Sequence, residues 1–98
     1  MNKMATVSKN QKMNRLNNFM EELAESVLDE LLSKKRDEFS RQALEDIKAL
    51  ALNRLWPMYT TTDAGRDYLK KVIEEDKIEK DVQRELRAAM EVVRQNPR

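Results

Sequence analysis

Apolar residues recur at three- and four-residue intervals through most of the chain. Leu16, Phe19, Met20, Leu23, Val27, Leu28, Leu31 and Leu32 form the first such set, and the spacing predicts a helix with one broad apolar face that starts near Asn10 or Asn14. Glu21, Glu22, Glu25, Asp29 and Glu30 occupy its other faces. Lys34, Lys35 and Arg36 follow, where positive charge complements the negative end of the macrodipole or presents a small cationic cluster to an anionic partner. Asp37 to Ser40 then make a short connection, and Asp37 or Ser40 can cap the next helix by accepting from its free amides.

A second helix is predicted from about Arg41 to Leu55. Ala43, Leu44, Ile47, Leu50, Ala51 and Leu55 share one face, and Ala49 with Leu52 carries apolar surface around most of the circumference. Such a helix must be covered on several sides, as the central element of the fold or of a dimer. Pro57 removes an amide and disfavours helical geometry at Trp56, which forces a stop. Met58 to Thr61 read as extended, and Thr62 or Asp63 caps a third helix. Gly65 falls in its first turn, where it costs about 1 kcal/mol against alanine, so it signals either a close approach or tolerance of a poor helix former.

Tyr68, Leu69, Val72 and Ile73 continue that third helix, but the next positions in phase are Asp76 and Lys80. A new stripe, Ile78, Val82, Leu86, Ala89, Met90 and Val93, has a shifted phase. A break near Glu75 to Lys77 follows, with a last helix that fades at Gln95. The pattern therefore describes one small all-α domain of about four to five helices over residues 13–98, with room for a short turn near residue 38, no strands and no internal repeat. Residues 1–12 carry Lys3, Lys9 and Lys12 without an acid or apolar periodicity, and read as a flexible basic tail.

Ninety-eight residues suffice for one domain, but so short a chain buries a modest share of its surface, and self-association is an economical remedy. A homodimer is expected. Nineteen basic against 18 acidic side chains leave a formal charge of +1, so no global field draws the protein onto nucleic acid. The chain holds neither cysteine nor histidine, which excludes disulfides, thiolate metal sites and the commonest general base. No apolar run approaches the roughly 20 residues needed to span a bilayer, and the start lacks a signal-peptide core; the expected compartment is the cytoplasm.

The adjacent carboxylates Glu45-Asp46 and Glu74-Glu75-Asp76 point in different directions from a helix and make no facing acid/base pair. With no phosphate loop or nucleophile elbow either, no enzyme, cofactor or metal is expected. The proline-stopped corner suits binding better. Arg54 can grip phosphate bidentately or stack on a purine, and Tyr59 offers a planar face. Thr61 and Thr62 lead into a helix N-terminus whose free amides attract anions, and Arg66 lies one turn further on, with Lys70 and Lys71 adding charge. The alternative reading is structural: Trp56 and Tyr59 pack into the corner, Arg54 caps carbonyls and the threonines are turn residues.

Asn53-Arg54-Leu55-Trp56-Pro57-Met58-Tyr59, after an Ala/Leu-rich helix, resembles the Asn-Arg-Leu-Pro-Pro-x-Tyr signature of the late competence development protein ComFB family. Phe19 to Leu23 is similar to that family's first helix and Val82 to Met90 to its last, so the likeness spans roughly residues 14–97. It implies a cyclic dinucleotide receptor, for c-di-GMP or c-di-AMP, linked to competence and pilus-related behaviour, with Asn53, Arg54, Tyr59, Thr61, Thr62 and Arg66 as the candidate contacts. A two-fold ligand also suits a two-fold dimer. Two departures stand out: Trp56 replaces the first proline, and the cysteine cluster that suggests zinc in some members is missing. The competing expectation is a helical dimer that docks another protein without any nucleotide. A helix-turn-helix over residues 41–75 is disfavoured, because Asp63, Asp67, Glu74 and Glu75 would repel DNA phosphates.

Overall fold

Two consecutive asparagines decide where the first helix begins. Asn17 and Asn18 favour caps and turns over helix interiors, because their carboxamides compete for backbone groups. In the computed structural model, which describes residues 15–96, helix α1 spans Phe19–Leu31, and the Asn18 side chain caps it by accepting from the Met20 amide at 3.1 Å. The expected start near Asn10 or Asn14 is therefore corrected to Phe19. Leu16 leaves the apolar stripe and is 69% exposed. The tail assigned to residues 1–12 lies outside the described residues.

The same asparagines form a feature that hydrophobic periodicity does not register. Asn17–Asn18, strand β1, pairs antiparallel with Tyr59–Thr60, strand β2, placing Asn17 opposite Thr60 and Asn18 opposite Tyr59. The expectation of no strands is corrected by this two-residue ladder, although the domain remains all-α in class. A single 3-10 turn, Arg36–Glu38, occupies the connection after α1. Helix α2 covers Arg41–Leu52, α3 Asp63–Glu75 and α4 Ile78–Gln95. Lys34 and Lys35 follow directly after the end of α1, whose last turn itself holds no basic residue.

Helix α2 starts where Ser40 accepts from the Ala43 amide at 3.0 Å. It ends three residues earlier than periodicity suggests. Arg54 donates to Ala51 and Leu55 to Leu52, both three residues back, so the chain tightens into a turn ahead of Pro57. Helix α3 starts at the Thr62 cap, which accepts from the Gly65 amide at 3.0 Å. A Cβ on Gly65 would collide with the Thr60 hydroxyl, itself held by hydrogen bonds to Thr62. The close neighbour anticipated for this glycine is thus a buried threonine. Between α3 and α4, Lys77 takes up left-handed geometry at φ 55° and ψ 39°, which reverses the chain at the expected break.

Burial assembles the core from α1, α2 and α4. Ile47, Leu86, Val27 and Val82 are the largest side chains fully removed from solvent, joined by Ala24, Leu28, Ala51 and Ala89. Helix α4 lies against both α1 and α2, whereas α3 rests mainly on α4 and buries no residue completely. Helix α2 packs into this core through Ile47 and Ala51, while within the single chain Ala49 is exposed and Leu50 is 39% exposed. No described helix is long and apolar enough to cross a membrane.

Arg94, near the end of α4, fastens the 3-10 turn by pairing with both carboxylate oxygens of Glu38 while lying 5.4 Å from the Phe39 ring centroid. The hydrogen bond from Arg94 holds the Glu38 carboxyl below its ordinary value of 4.5, against the opposing effect of desolvation. Because the folded value is depressed, the contribution is present at neutral pH and disappears as pH falls below 4.5 through the folded value. A Glu38→Gln variant is accordingly expected to melt below the wild type at neutral pH and to converge with it on acidification. Thermal midpoints over a pH series check this, and parallel curves for the two proteins would count against it.

Candidate functional site

The corner between α2 and α3 is built on an anchored backbone. Asn18, already capping α1, also accepts from the Met58 amide at 2.7 Å, and the Phe19 amide donates to the Met58 carbonyl at 2.6 Å. Both polar groups of Met58 are therefore committed to the start of α1. That attachment holds the Trp56-Pro57 segment outward: Trp56 is 86% exposed and Tyr59 is 58% exposed. The reading in which both aromatics pack inside the corner does not describe this geometry.

The six candidate residues divide into two groups. Asn53 terminates α2, its amide donating to the Ala49 carbonyl, and its side chain faces solvent. Arg54 is largely exposed, and its Nε donates to Glu85 Oε1 on α4 at 3.0 Å, so it pairs with a carboxylate rather than capping carbonyls. Tyr59 and Thr61 are exposed. Thr62 and Arg66 form the second group, occupied with the frame. The Thr62 hydroxyl caps α3, and the half-buried Arg66 pairs with Glu22 and lies 5.0 Å from the Phe19 ring centroid.

Several participants escaped the reading of the sequence. Glu22 joins the two halves of the corner, since its other oxygen accepts from the Asn17 side chain at 2.8 Å. Glu85 sits three residues after Val82 and one before Leu86, at the margin of the apolar stripe of α4. An acid at the edge of a buried face is a usable signal, because a partly desolvated carboxylate requires a cationic partner. The Asn17-Asn18 pair just ahead of an apolar residue carried a comparable signal for capping.

A groove of about 700 Å³ between α1 and α2 provides a contrast. Glu21, Glu22, Glu25, Asp29 and Glu45 line it together with Lys48. Lys48 pairs with Glu25 at 2.5 Å and Glu45 at 2.9 Å, and those two carboxylates raise its pKa above the ordinary lysine value. Its charge is thus neutralised locally, and the groove presents an acidic wall that opposes a phosphorylated ligand. Among the described residues no cluster of three or more His, Cys, Asp or Glu is arranged to hold a metal ion.

These features define a small all-α domain in which a two-residue antiparallel bridge clasps a solvent-facing Arg/Trp/Tyr corner to the start of α1. Residues 17–97 match the family model described as late competence development protein ComFB, and the chain belongs to that family. The solved structure of the late competence protein ComFB from Bacillus subtilis is similar, with a TM-score of 0.74 and 22% identity over 86% of this chain and 93% of that chain. At that identity the likeness is one of fold. The curated proteins contain no match.

Proposed function

We propose that this ComFB-family protein is a cytoplasmic, non-catalytic receptor for a cyclic dinucleotide, c-di-GMP or c-di-AMP, acting as a homodimer in competence- and pilus-linked behaviour through a downstream protein partner. The observation that carries the reading is the exposure of the Arg54 guanidinium and the Tyr59 ring on a corner whose backbone is anchored through Asn18. A preorganised guanidinium and an aromatic face suit a ligand made of phosphates and flat bases.

Arg54 takes a phosphodiester, Tyr59 and the neighbouring Trp56 offer stacking faces, and Asn53 with Thr61 supplies hydrogen bonds. Thr62 contributes the amide-rich start of α3, and Arg66 keeps that helix in place through Glu22. The absence of histidine and cysteine from the sequence supports a binding role over a catalytic one. Membrane and DNA have no part in this reading.

Calorimetric titration with each dinucleotide is expected to give saturable binding, weakened about ten- to a hundredfold by Arg54→Ala through loss of a charge-assisted contact. No heat and no thermal shift with either compound would remove the proposal. A second reading, a protein-docking dimer indifferent to nucleotide, is favoured by the exposure of Trp56, Tyr68 and Leu50. Such a module keeps its protein partner in the Arg54→Ala variant, whereas a ligand-gated receptor loses it.

A further inference from the structure

Glu85 is an unusual member of a surface ion pair, because its side chain is only 13% exposed while the two cations that meet it are mostly in solvent. Its Oε1 accepts from Arg54 Nε at 3.0 Å, and its Oε2 lies 3.5 Å from Arg84 Nε. Arg54 follows α2 and Arg84 belongs to α4, so one carboxylate hydrogen-bonds a guanidinium from one element and pairs ionically with a guanidinium from another. The side chains of Arg54 and Arg84 remain 73% and 65% exposed. Arg84 also donates from Nη1 to Asp81 at 3.0 Å.

A guanidinium presents donors along two edges. Arg54 is held through Nε alone and its side chain is 73% exposed, so the edge formed by its two terminal nitrogens is available for bidentate contact with phosphate oxygens. Arg84 donates from Nη1 to Asp81 and lies within ion-pair range of Glu85, and its mostly exposed guanidinium keeps donors for a further contact. We infer that Glu85 is a positioning residue that sets Arg54 and Arg84 as a paired grip on one phosphodiester of the dinucleotide, an inference that rests on the receptor reading above. Arg84 thereby joins the ligand contacts, and Glu85 acts on the ligand only through the two arginines.

Charge alone predicts the opposite of positioning, and this separates the two. Glu85 is an anion close to the proposed phosphate, so if it were a bystander, Glu85→Gln would tighten binding by removing repulsion. A positioning role makes Glu85→Gln weaken binding about tenfold, because an amide cannot serve two cations and both arginines regain rotamer freedom. Glu85→Asp, which keeps the charge but withdraws it by one methylene, weakens binding too. Arg84→Ala weakens it several-fold and, as a solvent-facing substitution, tests the grip even if Glu85 variants fold poorly.

The experiment is calorimetric titration of full-length wild type, Glu85→Gln, Glu85→Asp and Arg84→Ala with c-di-GMP and with c-di-AMP, alongside thermal midpoints without ligand. Weakened binding by Glu85→Gln and Arg84→Ala at unchanged midpoints supports the inference. Wild-type binding that Arg84→Ala leaves intact, or that Glu85→Gln strengthens, overturns it while the receptor reading stands. A wild type that binds neither compound overturns both.

Discussion

Replacing Leu86 by alanine is expected to destabilise the domain by about 2–5 kcal/mol, a large part of the roughly 5–15 kcal/mol that holds a small domain together. Leu86 has no solvent exposure and lies in the core where α4 meets α1 and α2. Truncation removes its transfer free energy and leaves a cavity that three packed helices cannot readily close. Urea unfolding reads the effect as a lower midpoint at similar slope. Val92→Ala on the same helix is the control: Val92 is 48% exposed, and its loss should stay near 0.5 kcal/mol. A Leu86→Ala protein as stable as the control would contradict the assignment of α4 to the core.

The second large effect falls on Asn18, whose one carboxamide oxygen serves the α1 cap and the Met58 amide together. Asn18→Ala loses a cap contribution of about 1 kcal/mol. It also strips the acceptor from the Met58 N–H in the part-buried bridge, at about 1–3 kcal/mol. The joint loss of about 2–4 kcal/mol corresponds to a fall in thermal midpoint of roughly 10 °C or more. Under the proposed receptor function, dinucleotide affinity is expected to drop as well, since the Trp56-Pro57 segment loses its attachment to α1. Asn18→Asp retains an acceptor oxygen and should restore most of the stability. Equal midpoints for wild type and Asn18→Ala would refute this double role.

Why some elements were legible and others not follows from the range of the interactions involved. Ser40 and Thr62 were identifiable as caps because a cap bonds an amide three residues away, within a window that the sequence displays. The break near Lys77 and the end at Gln95 were legible because a stripe that loses phase cannot continue on the same helix face. Helix α1 was placed too early because Leu16 fits its apolar period, while the bond that favours the Asn18 cap at that place comes from Met58, forty residues away. The early end of α2 was hidden in the same way, since Arg54 and Leu55 keep near-helical hydrogen bonding in a tightened turn.

At the candidate site, residue chemistry was readable and partnership was not. Arg54 and Tyr59 could be singled out from the proline stop, and both do face solvent. Arg66 looked equivalent to Arg54 in sequence, yet it is drawn into a pair with Glu22 over Phe19. Glu85 carried only an ambiguous position on the edge of a helix face. The matched family places the fold, while the division of the arginines between a half-buried frame position and an exposed one comes from their neighbours across the chain.

By itself the sequence determined the helical class, the stop at Pro57, the pairs of residues from which the caps of α2 and α3 are drawn and the exclusion of histidine or thiolate chemistry, because periodicity, backbone sterics and residue inventory act locally or need no geometry. Only the tertiary structure decided that α1 begins at Phe19 under the Asn18 cap, that a two-residue ladder clasps the corner, and that Glu85 holds Arg54 while Glu22 takes Arg66. Those choices depend on which distant groups meet at hydrogen-bond range, and chain order alone does not specify that.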